Sequence, residues 1–176
     1  MMTKLELIGQ LENAKNNYIL GLAGISLFGS PEAHPILEKN HAVFGMYMVD
    51  FSQVARLLIN PRDREIAIKE FLLSQIRALI KESFELIKDY CYGTGQAELF
   101  KAEPWHQFAR MIRNCLSHNF KFKFSKFDKE LLPVSWKART ITSAMDAQHL
   151  ELDFFGYVEM WELLREYQIF VQERLV

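Results

Sequence analysis

Only two cysteines occur in the chain, Cys91 and Cys115, and no C-x-x-C pair is among them. They read as small buried hydrophobes in a reducing cytoplasm, not as a disulfide scaffold or a thiolate zinc site. The five histidines show no H-x-x-x-H or H-E-x-x-H spacing. A metal site needs three or four converging ligands, so neither a metal nor a cofactor is expected. No uncharged run of 18 residues is present, and Met1-Met2-Thr3-Lys4-Leu5-Glu6 carries no secretory apolar stretch. The expectation is a soluble cytoplasmic protein with no membrane partner. Strong charge of either sign is also missing: the formal net charge is −1, so any attraction for anions must be local. No internal repeat, linker or low-complexity run is found.

What the chain does have is apolar bulk. With 176 residues, 49% of them hydrophobic and 14 of them Phe, it can bury the core of one domain spanning 1–176. The spacing of apolar residues predicts an all-α antiparallel bundle of about five helices. A first helix starts at Thr3, capped with Glu6, and stops near Gly21. A second runs from about Ile36 or Glu38 to Leu58, after a loop punctuated by Gly24, Gly29, Pro31 and Pro35. A third, the longest, runs from Pro61, behind a capping Asn60, to about Tyr90, and Gly93-Thr94-Gly95 closes it. That glycine pair lacks a preceding strand and a following Lys-Ser/Thr, so it is a helix stop and not a phosphate loop. A small β-hairpin is predicted before the last helix, with Val134 to Thr142 as one strand, Ala144 to Gln148 as the turn and His149 to Leu152 returning. Asp153 then caps a final helix to about Arg174.

The stretch from Pro104 to His118 organises the rest. At about 100° per residue, Trp105, Phe108, Ala109, Ile112, Cys115 and Leu116 fall on one face, and that face is core. His106, Arg110, Arg113, Asn114, Ser117 and His118 collect on the other. No Asp or Glu lies between Glu103 and Asp128, so the polar face carries no counter-charge of its own. Two readings follow: the cations are solvated or pair with carboxylates of another element, or the face meets an anion. Asn114 and His118 are neighbours at i and i+4. Arg113 and His118 are five apart and bracket the face from its two edges, so a site using both is easier to build if a second copy of the helix packs across it. A Ser117–His118 nucleophile pair fails because adjacent helical residues point about 100° apart, and a Cys115 nucleophile fails because Cys115 lies on the buried side.

Arg113-Asn114-Cys115-Leu116-Ser117-His118 resembles the Arg-Asn-x-x-x-His signature of the HEPN superfamily, all-α domains many of which are metal-independent ribonucleases. The resemblance implies a homodimer with the motif at the shared cleft and polar residues aimed at RNA. Its implied chemistry is cleavage of single-stranded RNA by 2′-hydroxyl attack to a 2′,3′-cyclic phosphate. His118 would be general base or acid, Arg113 would stabilise the phosphorane, and Asn114 would orient the imidazole or donate to a phosphate oxygen. Arg110, Ser117, Lys121 and Lys123 would bind RNA. A role in defence or toxicity and an antitoxin-type protein partner belong to the same implication. HEPN toxins encoded beside nucleotidyltransferase antitoxins carry Tyr two residues after the His; here that place is Phe120, with no hydroxyl to modify. Other HEPN members serve as non-catalytic nucleotide- or RNA-binding or dimerisation modules, which is the alternative function.

Beyond His118, Asn119 to Phe127 alternates Phe with Lys at period two, predicting a half-buried strand with Phe inward. Lys121, Lys123 and Lys126 either guard an edge strand or hold RNA phosphates.

Overall fold

The structure is a computed structural model that describes residues 2–176, and it is mostly helical, with two small antiparallel strand pairs. Eight α-helices are present among the described residues, in place of about five: α1 Lys4–Phe28, α2 His34–Lys39, α3 Ser52–Ile59, α4 Pro61–Gly93, α5 Ala97–Lys101, α6 His106–Ser117, α7 Lys126–Leu131 and α8 Tyr157–Ile169. Strands β1 His41–Phe44 and β2 Tyr47–Asp50 form one pair, β3 Val134–Trp136 and β4 Arg139–Ile141 the other. The chain divides into two compact units, residues 2–15 with Ile76–Val176, and Asn16–Gln75.

In the larger unit the predicted caps form. The Thr3 amide donates to Glu6 Oε2 at 2.7 Å and the Glu6 amide to Thr3 Oγ1 at 3.2 Å, closing a capping box. The core is aromatic. Trp105 packs on Tyr167 of α8 (centroids 5.0 Å apart) and Phe170 (5.7 Å), while Phe84 of α4 meets Phe100 of α5 at 5.2 Å. All six residues of the predicted apolar face of α6 are buried, and Phe108 lies 5.3 Å from Trp136 of β3. α4 ends as predicted: the Thr94 amide donates to Tyr90 O and Gly95 takes a φ of +74°, a conformation open to glycine at little cost.

Three expectations are corrected here. The segment 119–127 is not one strand, because Asn119 and Phe120 take positive φ (57° and 60°) and Lys126 opens α7. Only a short extended part pairs, with the Phe122 amide donating to Gln148 O and Leu150 to Phe120 O. Phe120, Phe122 and Phe124 do turn inward while Lys121 and Lys123 stay exposed. The hairpin returns at Arg139–Ile141, not His149–Leu152, since its loop is Lys137-Ala138. The last helix is capped by Gly156 and not Asp153, because the Glu159 carboxylate reaches back to the Gly156 amide at 3.0 Å while also pairing with Arg139.

In the smaller unit α1 runs on through Gly21 and Gly24 to Phe28. A Cβ on Gly21 would lie 3.1 Å from the Gln75 side chain and 3.3 Å from Phe71, so this glycine permits close approach of two helices instead of ending one. The predicted second helix is interrupted by β1 and β2, whose run His41 to Asp50 is rich in Val, Phe, Tyr and Met around Gly45 at φ +61°. Leu37, Ala55 and Leu58 form its small core with Phe51.

At Gly156 an added Cβ would run into the Leu152 carbonyl oxygen, which is backbone and has no room to give. Gly156→Ala is expected to destabilise the protein by about 1–3 kcal/mol in urea unfolding; an unchanged midpoint would show that this approach is not tight.

Candidate functional site

α6 places Arg110, Arg113 and Asn114 along one side of a pocket of about 320 Å³ lying wholly within the larger unit. Lys88 and Tyr92 of α4 and Lys101 of α5 complete the polar wall, with Gln107 beside Arg110. Phe84, Phe100 and Phe127 supply the apolar wall, and His106 lines the pocket as the first residue of α6. No acid lines it.

The counter-charges that the α6 stretch lacks come from elsewhere in the chain. Arg113 pairs through Nη2 with Glu85 of α4, donates from Nη1 to Asn114 Oδ1 at 2.7 Å, and lies over the Phe84 ring at 5.5 Å. Its Nε is buried without a partner. Arg110 donates from Nη2 to Asp128 Oδ1 at 2.5 Å and from Nε to Gln107 Oε1 at 2.9 Å, with its guanidinium 5.3 Å from the Phe127 ring centroid. Asp128 is itself buried, and its second oxygen accepts from the Ser125 amide and hydroxyl at 2.8 and 2.7 Å. Burial pushes both carboxyls up. At Asp128 the Ser125 hydrogen bonds and Arg110 outweigh it, at Glu85 the Lys88 and Arg113 contacts do, and both end below the usual carboxylate range.

His106 was predicted on the polar outer face, and the structure corrects this. It is only 6% exposed, set edge-on to Phe100 at 4.6 Å, and its Nδ1 is buried without a partner. Burial first, then the charges of Arg110 and Lys101, pull its pKa down to about 4, so the ring is neutral at physiological pH. Periodicity missed this residue because a helix's first turn is covered by whatever precedes it, here α5, which no sequence pattern announced.

Of the residues predicted to act, the fold brings Arg110, Arg113 and Asn114 together with His106. His118, Ser117, Lys121 and Lys123 do not line the pocket. His118 is exposed as the C-cap of α6, its amide donating to Asn114 O and Cys115 O. The Ser117 hydroxyl donates back to Arg113 O at 3.0 Å. Cys91 and Cys115 are buried, and burial pushes each thiol up to about 12, which leaves no thiolate for nucleophilic work. Among the described residues there is no group of three or more His, Cys, Asp or Glu able to hold a metal ion, and no helix long and apolar enough to cross a membrane.

No protein-family model, characterised protein or solved structure matches the chain.

The buried imidazole ties stability to pH. An unfolded His binds its proton near pH 6.5 and the folded His106 only near 4, so as pH falls the unfolded state is protonated first. The stability gained by keeping this ring neutral is whole above about pH 6.5 and drains away down to about pH 4, to a total of up to about 3 kcal/mol. Chemical unfolding at pH 7.5 and pH 4.5 should give His106→Phe a smaller acid loss than the parent; equal losses would mean that His106 is not the group responsible.

Proposed function

We propose that the chain is a HEPN-type antiparallel helical bundle that acts, as a homodimer, as a metal-independent endoribonuclease on single-stranded RNA. The observation that carries the reading is α6. It turns Arg113 and Asn114 into a cation-lined pocket and ends about one turn further on with exposed His118, with no acid of its own along the way.

In the proposed reaction the His118 imidazole takes the proton of a ribose 2′-hydroxyl while the 2′-oxygen bonds to the adjacent phosphorus. The P–O5′ bond breaks, and the leaving O5′ takes a proton from the imidazolium of the second copy. Arg113 stabilises the charge building on the phosphorane. Products are a 2′,3′-cyclic phosphate and a 5′-hydroxyl, and DNA, lacking the attacking group, is not cut. A second copy is needed because Arg113 and His118 stand at opposite edges of the helix face. A toxin or defence role, with an antitoxin-type protein as partner, is part of the same proposal.

A second reading has its own observation. Both Nη groups of Arg113 are already engaged, by Glu85 and Asn114, and His118 lies outside the pocket lining. That arrangement suits a module that binds RNA or nucleotide without cutting it.

Incubation of purified protein with single-stranded RNA in EDTA separates the two. Cleavage is expected, and His118→Ala and Arg113→Ala should each reduce it on the order of 10²-fold or more with the fold intact. RNA that is bound but left whole, or cleavage unaffected by both changes, gives the second reading or neither. Changing Lys121, Lys123 and Lys126 together to Gln tests the exposed basic segment. If those lysines hold RNA backbone, the slope of log affinity against log salt flattens by up to about 0.7 per lost contact. An unchanged slope with reduced solubility makes Lys121 and Lys123 guards of an exposed edge.

A further inference from the structure

We infer that the α6 pocket is a receptor for a terminal phosphate monoester carried on an aromatic base, with His106 as its proton-carrying member. Its lining has one sign: Lys88, Lys101, Arg110 and Arg113 face it, while the acids that pair with them stand behind. One of those pairs yields readily: Lys101 is held only by Glu98, whose side chain is 87% exposed, and exposed pairs of this kind are weak, whereas Lys88 stays tied to Glu85. Arg110 commits Nε and Nη2 to Gln107 and Asp128 and keeps Nη1 for a ligand. Deeper in, His106 is more than nine-tenths buried with Nδ1 unpartnered, in a class of buried polar atoms that nearly always find a partner. Phe127, largely exposed, offers a ring face for a base. A volume of about 320 Å³ sits at the small end of ligand pockets and takes one nucleotide, not a strand in passage.

Without a ligand the imidazole packs against Phe84 and Phe100, and the charges that act on it are positive, Arg110 from α6 and Lys101 from α5. Lys88 and Tyr92 from α4 and Arg113 from α6 line the same pocket, and Glu85, Asp89, Glu98 and Asp128 are the acids paired with its cations. A phosphate monoester, carrying about −1.5 to −2 charges near neutral pH, reverses that balance and draws a proton onto His106. Binding therefore takes up a proton at pH values between the free and the bound midpoints.

The test follows the His106 ring signals of the full chain by NMR across pH with and without AMP, assigned through His106→Gln or through contacts with the Phe100 ring. At saturating AMP the His106 midpoint should rise by at least one pH unit, inorganic phosphate should compete, and Lys101→Glu should weaken AMP tenfold or more without changing the circular dichroism spectrum. No saturable binding at millimolar AMP, or a midpoint that stays put when AMP is bound, overturns the inference. A 5′-phosphorylated ribotrinucleotide that displaces AMP where its 5′-hydroxyl form does not makes the ligand an RNA end. Displacement by neither makes it a free nucleotide, and equal displacement by both overturns the monoester assignment. None of these readouts measures cleavage, so failure here and failure of the ribonuclease reading are distinguishable.

Discussion

Two carboxylates, Glu85 and Asp128, fix where the guanidiniums of α6 point, and the character of the pocket depends on that constraint. Each stands on an element outside α6, and each is tied down in turn: Glu85 by Lys88 beside it on α4, Asp128 by the cap of α7. Arg113 and Arg110 are thereby stretched across Phe84 and Phe127 instead of waving in solvent, and their positive edges are left toward the cavity. The ion pairs serve position more than stability. A half-buried pair pays desolvation that offsets much of its attraction, but a guanidinium held in one place can meet a ligand without first losing its rotamer freedom.

The apolar face of α6 was legible from spacing alone, whereas Leu5 of α1, Ile66 of α4 and Val158 of α8, which spacing puts on apolar faces, are exposed. All six apolar positions of α6 are in the core, and the starts of α1 at Thr3 and of α4 after Asn60 rest on local hydrogen bonds that the sequence advertises: Asn60 Oδ1 accepts from the Arg62 amide at 3.0 Å. Such signals act within four residues, which is why they can be read. What was not legible depended on distant partners. Gly21 looks like a stop until Gln75 and Phe71 are seen against it, and Gly156 displaces Asp153 as a cap because Glu159 is aimed by Arg139. The run His41 to Asp50 was absorbed into a helix because its apolar residues suit either period, and only Gly45 hinted at a turn.

The candidate site shows the same division. That α6 carries a cationic face was plain in its composition; that the face is answered by Glu85, twenty-eight positions upstream of Arg113, and Asp128, eighteen beyond Arg110, was not. Arg110 and Arg113 do pair with carboxylates of other elements, Asp128 and Glu85. His106 was placed with the wrong company for a related reason. A wheel assigns it by angle to the polar side, yet α5 and Phe84 close over it, and its ring ends among aromatics.

The two thiols carry a consequence of their own. Cys115 and Cys91 are at most 1% exposed and are protonated at any physiological pH, so an alkylating reagent meets neither in the closed protein. Modification waits for α4 or α6 to open, and its rate counts those openings. Nature has thus left two silent clocks in the helices that form the pocket, which tick only when the core beneath it breathes.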